Sequence, residues 1–261
     1  MKLLTLNCHS WQEDNQLEKI ETIIHDIKEK LYDVIALQEV SQSIDSELVE
    51  DGIKANNFAL VLLNGLKKLG VNNYSMVWDF SHIGYDVYEE GLALLTKHPI
   101  VKKHSFFVSK SHDKNYWKTR KVVGATISIE NKLMDFYSCH LGWWDDKDEP
   151  FKNQVVSLFK KIQYDKITFL MGDFNNNGLM DNEGYSYLMK NKIYDTFFLA
   201  KQKDSGITVR GKIDGWNKNK DAMRLDLILV NKEIDVRSSK VIFNGENKPI
   251  VSDHYGVAVE I

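Results

Sequence analysis

The sequence predicts an α/β sandwich, two sheets of mixed strand direction faced by helices, on three observations. Apolar runs of strand length recur along the whole chain. Helical periodicity interrupts them at only a few places, and the polar residues able to do chemistry stand where the apolar runs stop.

The elements follow in chain order. Lys2 to Asn7 reads as a first strand. Leu17, Ile20, Ile24, Ile27 and Leu31 then recur at steps of three and four, which places one apolar stripe on a helix. Asp33 to Gln38 is an apolar run that stops at Glu39. A second helix is expected over Asn56 to Leu69, followed by β-rich segments at Tyr74 to Phe80, Gly91 to Thr96, Lys121 to Ile129 and Leu133 to His140. Helical patterns return at Pro150 to Ile162 and Glu183 to Lys190, with the apolar strand Ile167 to Met171 between them. Leu225 to Val230, Val236 to Phe243 and Tyr255 to Ile261 complete the strands.

With 261 residues and 43% hydrophobic content, the chain can bury a large core. Its three prolines and lack of a Ser/Gly-rich linker mark no boundary, so one domain over 1–261 is expected. The 34 basic and 37 acidic residues give a net charge of -3, which supplies no overall attraction for a polyanion and disfavours nucleic acid as the partner. No apolar run reaches the roughly 18 residues of a membrane span, and no secretory apolar core forms near Met1, so a cytoplasmic protein without a membrane partner is expected. Cys8 and Cys139 read as reduced core thiols, with a disulfide as the alternative.

The chemical candidates share a position at strand ends. Asn7, Glu39 and His140 each follow an apolar run; Asp173 and Asn175 follow Ile167 to Met171. Asp226 lies in Leu225 to Val230, and Asp253-His254 precede the last strand. Singly, each has an ordinary structural explanation: a turn, a solvated strand end, a hydrogen-bonded core histidine. Gathered on one rim, they match what phosphate ester hydrolysis needs. A hard cation such as Mg²⁺ takes carboxylate or amide oxygens, for which Glu39 is the first choice with Asn7 supporting. A water nucleophile needs a base and an orienting acceptor, and the transition state needs donors. His254, Asp173, His140 and Asn175 supply these, with Asp226 and Glu90 as carboxylate partners for the histidines.

In order, Asn7, Gln38-Glu39, Glu90 to Lys97, Cys139-His140-Leu141, Gly172-Asp173-Phe174-Asn175, Arg224 to Ile228 and Ser252-Asp253-His254 resemble the blocks of the endonuclease/exonuclease/phosphatase superfamily. That family includes deoxyribonuclease I, sphingomyelinases and inositol polyphosphate 5-phosphatases. The resemblance implies a four-layer α/β sandwich and Mg²⁺ or Mn²⁺ as cofactor. It also implies that Glu39 and Asn7 hold the metal with Asp253 near, and that His254 is the general base beside Asp226. Asp173 and Asn175 would orient water and phosphate, and His140 would stabilise phosphoryl oxygens with Glu90 behind it. The chain is most similar in texture to a subgroup of small bacterial members, one of them a maltose 6'-phosphate phosphatase.

Substrate choice is expected in the loop after His140, Leu141 to Glu149, which carries Trp143 and Trp144 followed by four acids and one lysine. Acids there repel a long phosphate backbone, whereas aromatic faces suit a sugar or another small ring; the plainer alternative is that the tryptophans pack the sandwich rim. Arg120 or Lys118 offers a phosphate clamp, against the plainer reading of a solvated charge run. These features point to a small phosphorylated substrate, a sugar phosphate first, acted on by a monomer. The alternative is a nuclease that uses Lys118, Arg120 and Lys121 as its phosphate track.

Overall fold

A computed structural model describes residues 1–261. Seven strands form one sheet in the order Ala200–Lys203, Val236–Ile242, Gly256–Glu260, Lys2–Asn7, Val34–Ser43, Tyr88–Thr96 and Ser75–Gly84. Six form a second, in the order Tyr194–Asp195, Asp226–Val230, Ile167–Asp173, Lys132–His140, Lys121–Ile129 and Ile100–Phe107. Both are mixed: Lys2–Asn7 runs parallel to Val34–Ser43, and Ile167–Asp173 parallel to Lys132–His140, amid antiparallel neighbours.

Strand alternation divides the apolar residues among three cores. Leu3, Val34, Ala36 and Leu94 point inward and meet Val123, Ala125, Phe136 and Phe169 of the facing sheet. Their sequence neighbours Leu4, Leu6, Ile35 and Leu37 point outward, where Ile20, Ile23, Ile24 and Ile27 of the helix Gln16–Lys30 and Phe58, Leu62 and Leu66 of the helix Phe58–Lys68 cover them. On the far side Tyr137, Leu170, Leu227 and Leu229 pack beneath the helices Phe151–Phe159 and Gly184–Met189 through Phe151, Val155, Leu158 and Leu188. Helices, sheet, sheet, helices: the four layers are those expected, and the unbroken apolar runs arise because the central strands are buried on both faces.

The helical stripe expected from Leu17 to Leu31 is corrected at both ends. Leu17 and Leu31 lie outside the buried stripe, at 71% and 43% exposed. Leu17 sits in the first helical turn, and Leu31 follows the last turn in a left-handed conformation that swings it off the face. The strand at Ile100–Phe107 has no apolar alternation in its middle, where Lys102, Lys103 and His104 stand; it is a sheet edge, where lysines discourage further pairing. Cys8 and Cys139 are buried free thiols.

Below the rim a buried polar tie joins the two sheets. Gln38 Nε2 donates to Ser138 Oγ at 2.8 Å, Ser138 Oγ donates to the Leu37 carbonyl at 2.8 Å, and Thr5 Oγ1 donates to Gln38 Oε1 at 3.2 Å. A polar group stranded here would cost about 1–3 kcal/mol, so the tie fixes how the sheets sit against each other directly under the site.

Candidate active site

Sheet register brings the acids and histidines of the second sheet onto one rung. Asp173 pairs with His140 on its parallel side and with Asp226 on its antiparallel side, so three residues distant in sequence stand side by side. The approach needs glycine at 172: φ is +148° there, and a Cβ would lie 1.9 Å from the Cys139 carbonyl oxygen. From the first sheet come Asn7, at the end of its strand, and Glu39. The strand bearing Glu39 does not stop there, as the apolar run had implied, but continues to Ser43. Its register against Tyr88–Thr96 shifts between Leu37 and Val40, and Glu39 adopts φ +50°. This bulge turns the carboxylate out of the pleat and toward the rim.

Asp173 is the hub. Its Oδ1 accepts the Asn175 backbone N–H at 2.8 Å and its Oδ2 accepts Asn7 Nδ2 at 3.2 Å, with His140 Nε2 and His254 Nε2 each 3.7 Å from Oδ2. Asn7 Nδ2 also donates to Glu39 Oε1 at 2.8 Å, while Asn7 Oδ1 accepts the His9 N–H. In this arrangement Asn7 clamps two carboxylates together through its N–H groups, and its oxygen is already occupied. Asn175 is held as firmly: Nδ2 donates to the Leu141 carbonyl at 3.0 Å and Oδ1 accepts Trp216 Nε1 at 2.8 Å.

The charges are set by burial and by one another. Burial drives the Asp173 carboxyl up to about 6, with His254 opposing the shift. Burial disfavours charge on His254, but Asp226, 2.9 Å from Nδ1, and Asp173 outweigh it and hold the imidazole well above its ordinary value. Burial and the nearby Arg120 push His140 well below, so it is neutral. Glu39 is raised by burial and then by Asp253. Glu39 and Asp253 both line the cleft, and carboxylates of this kind are the donors that a hard divalent cation would take.

Residues outside the expected set support this rim. Glu13 Oε1 accepts from His9 Nδ1 at 2.7 Å and from the Asp253 backbone N–H at 3.1 Å, and Lys19 binds its other oxygen. Glu13 thereby ties the loop bearing Asp253 to the chain following Asn7. Glu39→Ala is expected to raise the Mg²⁺ concentration for half-maximal activity by about tenfold or more, and Glu13→Ala to shift it in the same direction by less. Metal titrations of activity check both.

A cleft of about 370 Å³ opens above the rung, lined by Glu39, Asp173 and His254 and also by Arg120, Trp117 and Trp143. Two expectations change here. Trp144 turns away and packs on Phe151 and Tyr187 in the outer core, leaving Trp143 alone of the pair in the cleft. Glu90 pairs with His82 Nε2 at 3.5 Å rather than standing behind His140, whose nearest carboxylates are Asp173 and Glu39. Arg120 stands in the cleft lining, as a phosphate clamp would: it is buried, its Nη1 donates to the Trp117 carbonyl at 2.8 Å, its guanidinium faces the Trp143 ring, and no carboxylate is paired with it. Sequence reading did not single out His9, Glu13, His82, Tyr85 or Asp214; His82 lies on the strand Ser75–Gly84, opposite Glu90, and the others reach the site through loops whose course no periodicity encodes.

The acids after Trp144 have structural roles. Glu149 accepts the backbone N–H groups of Lys110 and Ser111, and Asp146 those of Asp148 and Glu149. Lys118 lies 2.8 Å from both Asp146 and Asp148, and Lys121 2.8 Å from Asp79.

No helix is long and apolar enough to cross a membrane. No curated protein matches the chain. Among solved structures it is similar to an endonuclease/exonuclease/phosphatase family protein from Leptotrichia buccalis C-1013-b, at 40% identity and TM-score 0.94, covering 100% of this chain and 99% of that one. A mannosyl-6-phosphatase of Bacteroides thetaiotaomicron VPI-5482 shares the fold at 16% identity and TM-score 0.73, over 100% and 98% of the two chains. A beta toxin from Staphylococcus aureus does so at 17% identity and TM-score 0.68, over 100% and 99%. Residues 4–254 match the model of the Endonuclease/Exonuclease/phosphatase family, and the chain, with its rung of Asp226, Asp173 and His140 beside Glu39 and His254, belongs to that family of phosphoester hydrolases.

Proposed function

We propose that the protein is a divalent-metal-dependent phosphomonoesterase for a small phosphorylated metabolite, a sugar phosphate of the maltose 6'-phosphate type first among them. The observation that carries this is the cleft: about 370 Å³, walled by Trp117 and Trp143, acidic at its rim, and flanked by basic residues that are already paired or buried. Such a volume suits one small ligand. A polynucleotide track needs free cations along a groove, whereas Lys118 and Lys121 are engaged with Asp146, Asp148 and Asp79. The Bacteroides mannosyl-6-phosphatase, on the same fold, is by name an enzyme of this substrate class.

In the proposed reaction Asp173 Oδ2 accepts the proton of the attacking water, a task suited to a carboxylate whose pKa burial has brought to about 6. His254, as an imidazolium held by Asp226, donates from Nε2 to a phosphoryl oxygen, and neutral His140 donates a second hydrogen bond. This reverses the roles of Asp173 and His254 that the family resemblance implies. Asn175, fixed by Leu141 and Trp216, keeps one amide N–H free for the same group. Glu39 and Asp253 would hold Mg²⁺ or Mn²⁺, which when bound would supply positive charge to the phosphate ester.

A panel of phosphorylated sugars with Mg²⁺ tests the proposal. Phosphate release from at least one, absent in Asp173→Ala, is expected. Release no higher than that of the variant, together with salt-sensitive cleavage of a duplex, would replace it with the nuclease reading.

A further inference from the structure

Beyond the rung, one short segment joins three parts of the cleft wall. Asp214, Gly215 and Trp216 lie in the loop between the ribbon strands Val209–Arg210 and Ala222–Met223. Tyr85, at the turn between Ser75–Gly84 and Tyr88–Thr96 of the first sheet, donates its hydroxyl to Asp214 Oδ2 at 2.7 Å. Gly215 has φ +75°, and a Cβ there would lie 2.5 Å from Trp143 Cζ2, so the backbone rests against the indole. Trp216 Nε1 donates to Asn175 Oδ1 at 2.8 Å. Three consecutive residues thus contact the hairpin of one sheet, the loop after His140 and the loop after Asp173.

We propose that this segment is the specificity element of the enzyme, with the Tyr85–Asp214 hydrogen bond as a clasp that closes one end of the cleft and admits only a terminal phosphate monoester. The inference rests on the phosphomonoesterase reading and adds a cause for it. A diester carries a group on each side of the phosphorus, so it needs a trough open at both ends. Here the two walls are bridged, and the carboxylate at the bridge faces the same cleft as Glu39, Glu90 and Asp253, which disfavours a second phosphate of a chain. Trp216 has a separate duty: through Asn175 it positions the amide next to Asp173, so its loss should lower turnover on any ester.

Purified full-length protein with Mg²⁺, assayed on p-nitrophenyl phosphate and bis(p-nitrophenyl) phosphate, provides the test. Tyr85→Phe removes only the donor, and Asp214→Ala removes the acceptor; Tyr85 is 52% exposed, so neither change empties the core. The ratio of diester to monoester kcat/KM is expected to rise about tenfold in both variants. Trp216→Phe should instead lower kcat on both esters and leave the ratio unchanged. If the wild-type protein prefers the monoester and neither clasp variant moves the ratio, the clasp is overturned and the phosphomonoesterase reading stands. A wild-type preference for the diester overturns both.

Discussion

Asp173→Asn is expected to lower turnover by about 10³-fold or more while the protein stays folded, because the substitution keeps the shape of the side chain and removes its ability to take a proton. The carboxylate has the most connections in the site, touching Asn7 and the Asn175 N–H and standing 3.7 Å from the Nε2 of both His140 and His254. Its burial also has a thermodynamic signature. With the carboxyl raised to about 6 in the folded protein, the group's contribution to stability is complete below its ordinary value, near 4, and is lost as pH rises through 6. Two pKa units correspond to roughly 3 kcal/mol. Asn cannot ionise, so the denaturation midpoint of Asp173→Asn, measured in chelator, should gain on that of the wild type as pH rises from about 4 to 6.5. A difference that stays flat across that window would show that Asp173 is not held in its raised state. An unchanged kcat would remove Asp173 from the chemistry.

Much of this site was legible in the sequence, for a physical reason. Asn7, His140, Asp173 and Asp253-His254 end or precede strands that are apolar because both their faces are buried, and strands of two packed sheets finish on a shared rim. The roles of single side chains were less legible. Glu39 reads as a strand end, yet its carboxylate reaches the rim through a bulge at φ +50° that no residue-type preference announces. Trp143 and Trp144 are adjacent and identical, so which of them faces the cleft depends on Gly215 meeting one ring and Phe151 the other. Lys118 reads as a free cation, but Asp146 and Asp148 occupy it. The clasp was invisible because its partners, Tyr85 and Asp214, are separated by 129 residues and sit in segments without periodicity.

Asp226→Asn should lower kcat by about 10³-fold or more, and the limb of its pH–rate profile that moves decides which group accepts the proton. Asp226 is fully buried and lies 2.9 Å from His254 Nδ1, and its other oxygen has no partner, so its charge is directed at the imidazole. Burial works against a charged His254, and Asp226 leads the carboxylates that override it, ahead of Asp173 and Asp253. Neutralising Asp226 therefore lowers the pKa of His254. If catalysis uses the imidazolium as a donor and Asp173 as the base, activity is lost on the alkaline side when His254 deprotonates, and that limb moves to lower pH in Asp226→Asn. If His254 were the base, activity would be lost on the acid side when it protonates, and the acid limb would be the one to move down. The geometry favours the first outcome: the imidazolium lies between two carboxylates, Asp226 at 2.9 Å from Nδ1 and Asp173 at 3.7 Å from Nε2, and its charge stabilises the ionised Asp173 that accepts the proton. The same measurement on Asp173→Asn should show the alkaline limb displaced as well, since that variant removes the second carboxylate supporting the imidazolium. An alkaline limb that stays in place in both variants would take the imidazolium donor out of the reaction, assign the base to His254 and leave Asp173 to orient the water.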